Sequence, residues 1–252
     1  MKKLFKYIGI LSLVLASFII TEKTSMVIKE TDDIMIKIKE EKTKFEQDPI
    51  DAKIEENRII PGIYGKKVNE EKTYEQMKRQ GKYNNENYVY DQTKPKISIE
   101  DIYDKYIETG NKSKKEISII IIVKDVNMCT QELKETKVTI LKSNEIKNKN
   151  NRFTEVDIEK NINKIPNYCY VQEYDKQEIE KCAKEQRHTV KINKINKNLL
   201  QETKKELSNG KIIVIALNDQ TKKELKLTIN YIKNKGFKIV KIEELLSEKN
   251  TN

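Results

Sequence analysis

The 252-residue sequence contains a single histidine, His188, three cysteines and no tryptophan. One histidine excludes every mechanism that needs two imidazoles, and no cysteine has a second Cys or His at zinc-site spacing. Glycine and proline are scarce, with 7 and 4 residues, which excludes collagen-like, glycine-linker and proline-rich chains. Because His188 opens a predicted strand, we expect it to be structural.

Charged residues, in contrast, are abundant. They make up 36% of the chain against 37% hydrophobic residues, so we expect one moderate core with polar segments outside it. The net charge of +10 is typical of a solvated basic surface or of attraction to an anionic surface, such as phospholipid or acidic wall polymer. Lysines are interleaved with glutamates along the chain, so we expect no nucleic-acid partner.

The N-terminus has the pattern of an export signal. Three lysines among the first six residues precede an apolar run from Tyr7 to Ile20. No clear small-x-small cleavage site follows, so we favour a retained signal-anchor over residues 1–21, embedded through 4–20, over a cleaved peptide. The basic flank stays inside, which predicts a single-pass protein of the cell membrane with its C-terminal domain outside the cytoplasm.

Residues 22–115 are predicted to form a helical stalk and an irregular leader region. Apolar residues over 22–46 recur in threes, fours and sevens, which is helical spacing, and the proline that follows should end this helix. A short helix is predicted near 74–80. The segment from Ser98 to Asp101 has the form of a capping box and predicts another helix that ends before Gly110.

An α/β pattern begins at residue 116. Glu116–Val123 is β-branched and nearly continuously apolar, which indicates a strand buried on both faces of a parallel sheet. Strands then alternate with helices, which predicts one mostly parallel α/β domain over 116–248 with 117–123 as a central strand. The later strands are predicted at 137–141, 168–172, 188–192, 212–217 and 238–242, and the helices at 175–186, 199–207 and 221–235.

Two predicted strands end in polar residues. Lys124 and Asp125 follow the first strand, and Asn218 and Asp219 follow the strand at 212–217. Functional groups of parallel α/β sheets lie just past the carboxyl ends of strands. These residues are therefore the candidate site, although Asp and Asn at such positions also form turns and helix N-caps.

The stretch from Gly210 to Glu248 resembles the carboxyl-terminal end of the polysaccharide deacetylases, the NodB-like carbohydrate esterases. In that family a glycine leads into an apolar strand that ends in Leu-His-Asp, and a helix, a Lys-Gly-aromatic turn, a last strand and a Glu-Leu-Leu helix follow. The same order occurs here as Leu217-Asn218-Asp219, Lys235-Gly236-Phe237 and Glu244-Leu245-Leu246. The resemblance implies a reduced deacetylase-like (β/α) barrel.

The departures from the family pattern imply a divergent, degenerate member. Family enzymes bind a divalent metal through an Asp and a His-x-x-x-His pair, and metal-bound water attacks an N-acetyl carbonyl. Asp125 corresponds to one acid of the first motif, but Lys124 replaces its neighbour, and Asn218 replaces the last catalytic His and leaves Asp219. The resemblance thus implies two vestigial catalytic carboxylates, a binding role for Asn218, no metal ligand, and no cofactor unless an active site holds a divalent metal.

Three functions fit this sequence. The first is an inactive deacetylase-like domain at the cell envelope that binds glycan, anionic wall polymer or a partner. The second is an active metal-dependent hydrolase of carbohydrate N-acetyl groups with a rearranged site. The third is a structural envelope scaffold, in which the fold is only a platform.

The cysteines also leave two interpretations open. An exported domain can be oxidised, and Cys182 lies on the apolar stripe of the predicted helix that follows the strand carrying Cys169. A Cys169–Cys182 disulfide would leave Cys129 unpaired. The alternative is three small buried thiols.

Overall fold

The computed structural model describes residues 27–128, 135–143, 153–157 and 162–249, with Ser17, Leu133 and Lys160 as single residues. Apart from Ser17, the predicted anchor over 4–20 lies outside the described residues. Within the described part, no helix is both long enough and apolar enough to cross a bilayer. The described chain forms two compact units.

Six helices and fourteen strands are named within the described residues. In chain order they are α1 (Asp33–Glu41), β1 (Lys53–Glu55), β2 (Arg58–Ile60), β3 (Gly65–Val68), α2 (Glu70–Arg79), β4 (Tyr90–Thr93), β5 (Tyr106–Ile107), β6 (Glu116–Val123), β7 (Thr139–Ser143), β8 (Phe153–Asp157), β9 (Ile162–Lys164), β10 (Cys169–Val171), α3 (Lys176–Lys184), β11 (Thr189–Lys191), β12 (Lys194–Ile195), α4 (Leu199–Glu206), β13 (Ile212–Ala216), α5 (Asp219–Asn234), β14 (Lys238–Val240) and α6 (Ile242–Leu246). Short 3₁₀ turns connect several of them.

The smaller unit consists of the described residues up to Asp48 together with Gly65–Thr93. It contains α1, α2 and the antiparallel hairpin of β3 and β4. Ile38, Met77 and Tyr88 are buried together and form its core. Aromatic rings extend this core, since Phe45 stacks on Tyr88 with ring centroids 4.5 Å apart.

The helix predicted over 22–46 is interrupted in its described part. Residues 27–30 are helical, the chain then turns, and α1 begins at Asp33. Asp32 causes the new start, because its Oδ1 accepts a hydrogen bond from the Ile34 amide at 3.0 Å. The segment is therefore two short helical pieces, and α1 packs in a small core where a continuous stalk helix was expected.

The two short helices predicted within the leader region have different outcomes. The helix near 74–80 is confirmed as α2, which begins earlier because Asn69 caps it through the Lys72 amide at 3.0 Å. The helix predicted after Ser98 is wrong. Ser98 does cap a turn, but only the 3₁₀ turn Ile99–Asp101 forms, and the chain then enters β5.

The larger unit consists of Pro49–Tyr64 and the described residues from Lys94 onward, and it contains two sheets. The first has the strand order β12-β13-β6-β7-β8-β9, with β14 also paired to β6. The second has the order β1-β2-β5-β11-β10. Since β1, β2 and β5 precede residue 116, the predicted domain start at 116 falls inside this unit.

Strand β6 is the central strand that its apolar run predicts. It pairs in parallel with β13, β14 and β7, and every residue from Ile117 to Val123 is buried. Its side chains alternate between two cores. Ile120 and Ile122 join a core that includes Ile107 and Val190 of the second sheet, whereas the odd-numbered residues pack with a core that includes α5.

The predicted α/β order of 116–248 is confirmed in part. Each predicted strand and helix has a counterpart with bounds shifted by a few residues, and Gly236 ends the last long helix with φ 75°, as a left-handed cap requires. The parallel arrangement holds around β6, but β8 and β9 are antiparallel additions. Neither strand was predicted. In β9 the reason is that every residue is exposed, so the strand has no apolar pattern.

Candidate functional site at the carboxyl ends of β6 and β13

The ends of β6 and β13 lie side by side, as the sequence predicts for parallel strands. Ile122 pairs with Ala216, and the Leu217 amide donates a hydrogen bond to the Ile122 carbonyl at 2.9 Å. Asp125 and Asp219 each follow this pair by three residues. The structure therefore brings both predicted carboxylates to the same edge of the sheet.

Asp125 holds a turn at this edge. Its Oδ1 accepts a hydrogen bond from the Asn127 amide at 3.0 Å, and its Oδ2 accepts one from Asn127 Nδ2 at 3.4 Å. Its carbonyl accepts from the Met128 amide at 3.1 Å, which closes the 3₁₀ turn Val126–Met128. Asp125 and Lys124 are both exposed. The carboxylate is thus occupied by its own local backbone.

Asn218 caps α5 with both polar atoms of its side chain. Its Oδ1 accepts hydrogen bonds from the Gln220 amide at 2.9 Å and the Thr221 amide at 3.0 Å. Its Nδ2 donates to the carbonyl of Asn196 at 2.9 Å, in the segment before α4. Thr221 Oγ1 accepts in return from the Asn218 amide at 3.0 Å and completes a capping box.

Asp219 is the first residue of α5 and is exposed. A negative charge in the first helical turn is favourable, because the unpaired amides there carry partial positive charge. All three predicted residues therefore lie at one edge, and each has a local structural role there. Their assignment as vestigial catalytic and binding residues stays a prediction.

The donor set at this edge does not fit a catalytic divalent metal. Such a site needs about three protein ligands and an open position, whereas Asp125 and Asn218 already use their side-chain oxygens for backbone amides. Across the described ranges, no group of three or more His, Cys, Asp or Glu side chains could hold a metal ion.

His188 lies elsewhere, immediately before β11. Its ring stacks on Tyr103, with centroids 4.5 Å apart and planes inclined by 14°, and Tyr168 lies at 6.5 Å. Burial lowers the pKa of the imidazole, and the nearby Glu100 carboxylate opposes this only in part. Its carbonyl accepts a hydrogen bond from the Cys169 amide at 2.9 Å. These contacts agree with a structural role.

Cys169 and Cys182 form a disulfide in the structure, with an S–S distance of 2.03 Å and a Cα–Cα distance of 6.3 Å. The bond joins β10 to α3, the helix that follows it. Cys129 lies outside the described residues.

A buried carboxylate outside the candidate site, Glu248, lies near the end of the described chain. Glu248 is 2% exposed, and its Oε1 accepts hydrogen bonds from the amides of Gly62 at 2.6 Å and Ile99 at 3.2 Å. Its Oε2 accepts from the Ser98 hydroxyl. No local pattern predicts these contacts, because Glu248 is separated from its partners by 149 to 186 residues.

Comparison with known proteins supports the fold. No protein-family model matches the chain. The uncharacterized protein YlxY of Bacillus subtilis (strain 168) is 30% identical over 125 residues, which are 49% of this chain but only 38% of that protein's length. The crystal structure of the CE4 family pseudoenzyme BA3943 from Bacillus anthracis has a TM-score of 0.62 at 18% identity and covers 88% of this chain and 97% of its own.

A mutant of the same pseudoenzyme, described as having restored enzymatic activity, has the same TM-score and identity and covers 87% of this chain and 100% of its own. At this identity the likeness shows the fold. The α/β fold implied by the sequence resemblance is confirmed as similar to that of a CE4 family pseudoenzyme. The (β/α) barrel is not, because the described strands of the larger unit form two separate sheets.

Proposed function

We propose that this protein is a catalytically inactive relative of the polysaccharide deacetylases that binds glycan at the cell envelope. Residues 4–20 anchor it in the membrane, and the described units lie outside the cytoplasm. Its ligand is cell-wall glycan or an anionic wall polymer. The deacetylase-like fold serves here as a binding platform without chemistry.

The hydrogen bonding of Asn218 carries this proposal. Asn218 stands where the resemblance places a catalytic histidine, and an amide does not titrate as a general acid must. Both of its polar atoms are engaged in capping α5 and holding Asn196. The residue therefore stabilises the edge that would otherwise carry the reaction.

Three further features support a location at the envelope. The basic and apolar N-terminus has the form of an export signal. The Cys169–Cys182 disulfide is of a kind that persists in oxidising compartments and is rare in the cytosol. The net charge of +10 favours approach to anionic membranes and wall polymers.

The test of inactivity measures acetate release from N-acetylated glycan oligomers by the purified full chain, with and without added Zn²⁺ or Co²⁺. We expect release no faster than the background. Metal-dependent release that Asp125→Asn abolishes would overturn the proposal in favour of the rearranged hydrolase.

The tests of binding and location are separate. The full chain should sediment with insoluble cell-wall glycan, and failure to do so would favour the structural scaffold. In intact spheroplasts, added protease should digest the protein. Digestion that occurs only after lysis would contradict export.

A further inference from the structure

The outward side of α5 is strongly basic, whereas its inward side is apolar and buried. Leu225, Ile229 and Ile232 are at most 4% exposed and pack in the core on one face of β6. The outward side exposes four lysines: Lys222, Lys223, Lys226 and Lys233. We call these four side chains the α5 lysine face.

Three of these lysines form a line along the helix. Lys222, Lys226 and Lys233 are separated by four and then seven residues. Both spacings return a side chain to nearly the same side of an α-helix. At about 1.5 Å of rise per residue, the line is roughly 16 Å long. The α5 lysine face is therefore an extended array of positive charge, with Lys223 beside it.

The α5 lysine face is not neutralised by ion pairs, in contrast to the lysines of other helices. Helix α3 pairs Lys176 with Glu180, and α1, α2 and α4 each pair at least one of their lysines with a carboxylate. No lysine of α5 forms an ion pair with any carboxylate among the described residues. A surface on which lysine and glutamate merely alternate does not account for this difference.

The acidic residues of α5 do not cancel this charge. The helix has two of them. Glu224 is directed toward α4, where its Oε2 accepts a hydrogen bond from the Leu200 amide at 2.9 Å. Asp219 lies in the first turn and is exposed. Four lysines thus accompany one outward carboxylate, and like charges four residues apart destabilise a helix slightly. A bound anion removes that repulsion.

The spacing of the lysines indicates an extended ligand. Successive ammonium groups on the line are about 6 and 10 Å apart along the helix, so a small anion reaches one or two of them. A chain with repeated anionic groups reaches all four. Its weak contacts add, because every contact after the first is made within the same complex. Lysine binds phosphate well as a point charge.

A lipid surface fits the α5 lysine face less well. A helix that adsorbs to a bilayer buries its apolar side among the lipids. The apolar side of α5 is already buried in the core of the larger unit. Leu227, at 58%, is the one large hydrophobic side chain that this helix exposes. The helix can therefore offer a bilayer charge but little apolar area.

We propose that the α5 lysine face binds a linear polymer whose units are joined by phosphate groups, with the chain running along α5. This inference rests on the proposed function, which gives an anionic wall polymer as one of two ligands. It selects the phosphate-linked polymer over neutral glycan and assigns the binding surface to a helix.

Fluorescence anisotropy of labelled poly(glycerol phosphate), titrated with the full chain in neutral detergent, tests this inference. Glycerol phosphate is the comparison ligand. We expect the polymer to bind at least tenfold more tightly per phosphate than the monomer does. Salt should weaken the binding, with a slope of roughly 0.7 in the logarithm of the affinity for each lysine that contacts the polymer. Equal binding of the monomer per phosphate would overturn the proposal.

Paired variants locate the binding. Lys226→Gln combined with Lys233→Gln should weaken polymer binding about tenfold, the equivalent of about 1.4 kcal/mol, and reduce the salt slope. Lys181→Gln combined with Lys184→Gln is the matched control, because it removes two exposed lysines from α3. All four side chains are exposed, so both variants should fold. An equal loss in the control would show that binding reflects general charge and would overturn the proposal.

Vesicles test the lipid alternative with the same two variants. Vesicles of phosphatidylglycerol are compared with vesicles of phosphatidylcholine, because the predicted anchor can enter either bilayer. If the α5 variant loses its preference for phosphatidylglycerol and binds the polymer as before, the face binds lipid and the proposal is wrong. Unchanged vesicle binding together with weakened polymer binding supports it.

Sedimentation with cell walls separates this inference from the proposed function. Native walls are compared with walls from which the phosphate-linked polymer has been removed chemically. Sedimentation with native walls that is lost both on stripping and in the α5 variant supports the inference. Equal sedimentation with native and stripped walls refutes it and leaves glycan binding as the function. Binding of the free polymer through α5, without sedimentation with either wall, supports the surface and refutes wall binding as the function.

Discussion

Carboxylates at the sheet edge and in the interior of the larger unit have contrasting surroundings. Asp125 and Asp219 are exposed, and the hydrogen bonds of the Asp125 carboxylate reach only Asn127, two residues further along the chain. Glu248 is buried, and it binds backbone groups from two distant segments. The carboxylates that occupy motif positions thus stabilise local turns, whereas a carboxylate outside any site motif holds the tertiary structure together.

The largest expected effect is that of removing the interior carboxylate. Glu248→Ala leaves the Gly62 and Ile99 amides and the Ser98 hydroxyl without their buried acceptor. We expect the free energy of unfolding to fall by about 3–5 kcal/mol, because each buried donor left without an acceptor costs about 1–3 kcal/mol. Urea denaturation of the full chain measures this.

Glu248→Gln is the matched control, because it keeps the shape and one acceptor oxygen and should cost less than Glu248→Ala. If Glu248→Ala costs less than about 1 kcal/mol, the three donors have found other partners. In that case the buried Glu248 would stabilise the fold no more than the exposed carboxylates Asp125 and Asp219 do.

The largely buried His188 should make the free energy of unfolding depend on pH. Its pKa is lowered by burial, so the unfolded chain binds more protons than the folded one. Stability is therefore complete above the unfolded pKa of about 6.5 and falls as the pH drops below it, by at most about 1.4 kcal/mol per pH unit. Denaturation midpoints between pH 7.5 and 5 measure this.

His188→Phe keeps a ring against Tyr103 and removes the titrating group. The decline below pH 6.5 should be smaller in this variant than in the parent protein. An identical pH profile for the two proteins would assign the decline to other groups.

A smaller effect is expected at the edge. Asn218→Ala removes the acceptor for two amides of the first turn of α5 and the bond to Asn196. Loss of an N-cap costs typically about 1 kcal/mol. Asn218→Asp retains the capping oxygen and should recover most of the loss. A cost near that of Glu248→Ala would show that the edge is as important to the fold as the interior.

The smallest effect is expected from Asp219→Asn. The change removes one charge from the first turn of α5 and should lower stability by about 0.3–1 kcal/mol at low salt. The difference should disappear at high ionic strength, because the side chain is exposed and its interaction is screened. A loss that persists in high salt would indicate a contact beyond the helix dipole.

Local sequence patterns were sufficient to predict part of the candidate site. The edge that carries Asp125 and Asp219 follows from two apolar runs that each end in polar residues, since parallel strands align their carboxyl ends. The sequence also contained the signal for the helix cap at this edge, because Asn218 precedes a helical pattern and Thr221 follows it by three residues. The buried Glu248 had no such signal, because its partners lie 149 to 186 residues away along the chain.

The sequence by itself determined the elements whose stability is local or whose apolar pattern is strong. The run from Ile117 to Val123 made β6 a buried central strand, and the stripe of Leu225, Ile229 and Ile232 made α5 a helix with its apolar face in the core. Both patterns were long enough to favour one structure without knowledge of their neighbours.

Only the tertiary structure decided which short segments pair and where the buried polar groups lie. Strands β1, β2 and β5 have two or three residues each. Of these, β5 pairs with β11 far along the chain, and β2 and then β1 extend the same sheet. Strands this short gain stability chiefly from their partners, and their sequences have no period long enough to reveal the pairing. Glu248 likewise has a role only because folding brings it to Gly62 and Ile99. There the free-energy cost of burying an unpaired amide exceeds the entropy cost of fixing the glutamate side chain.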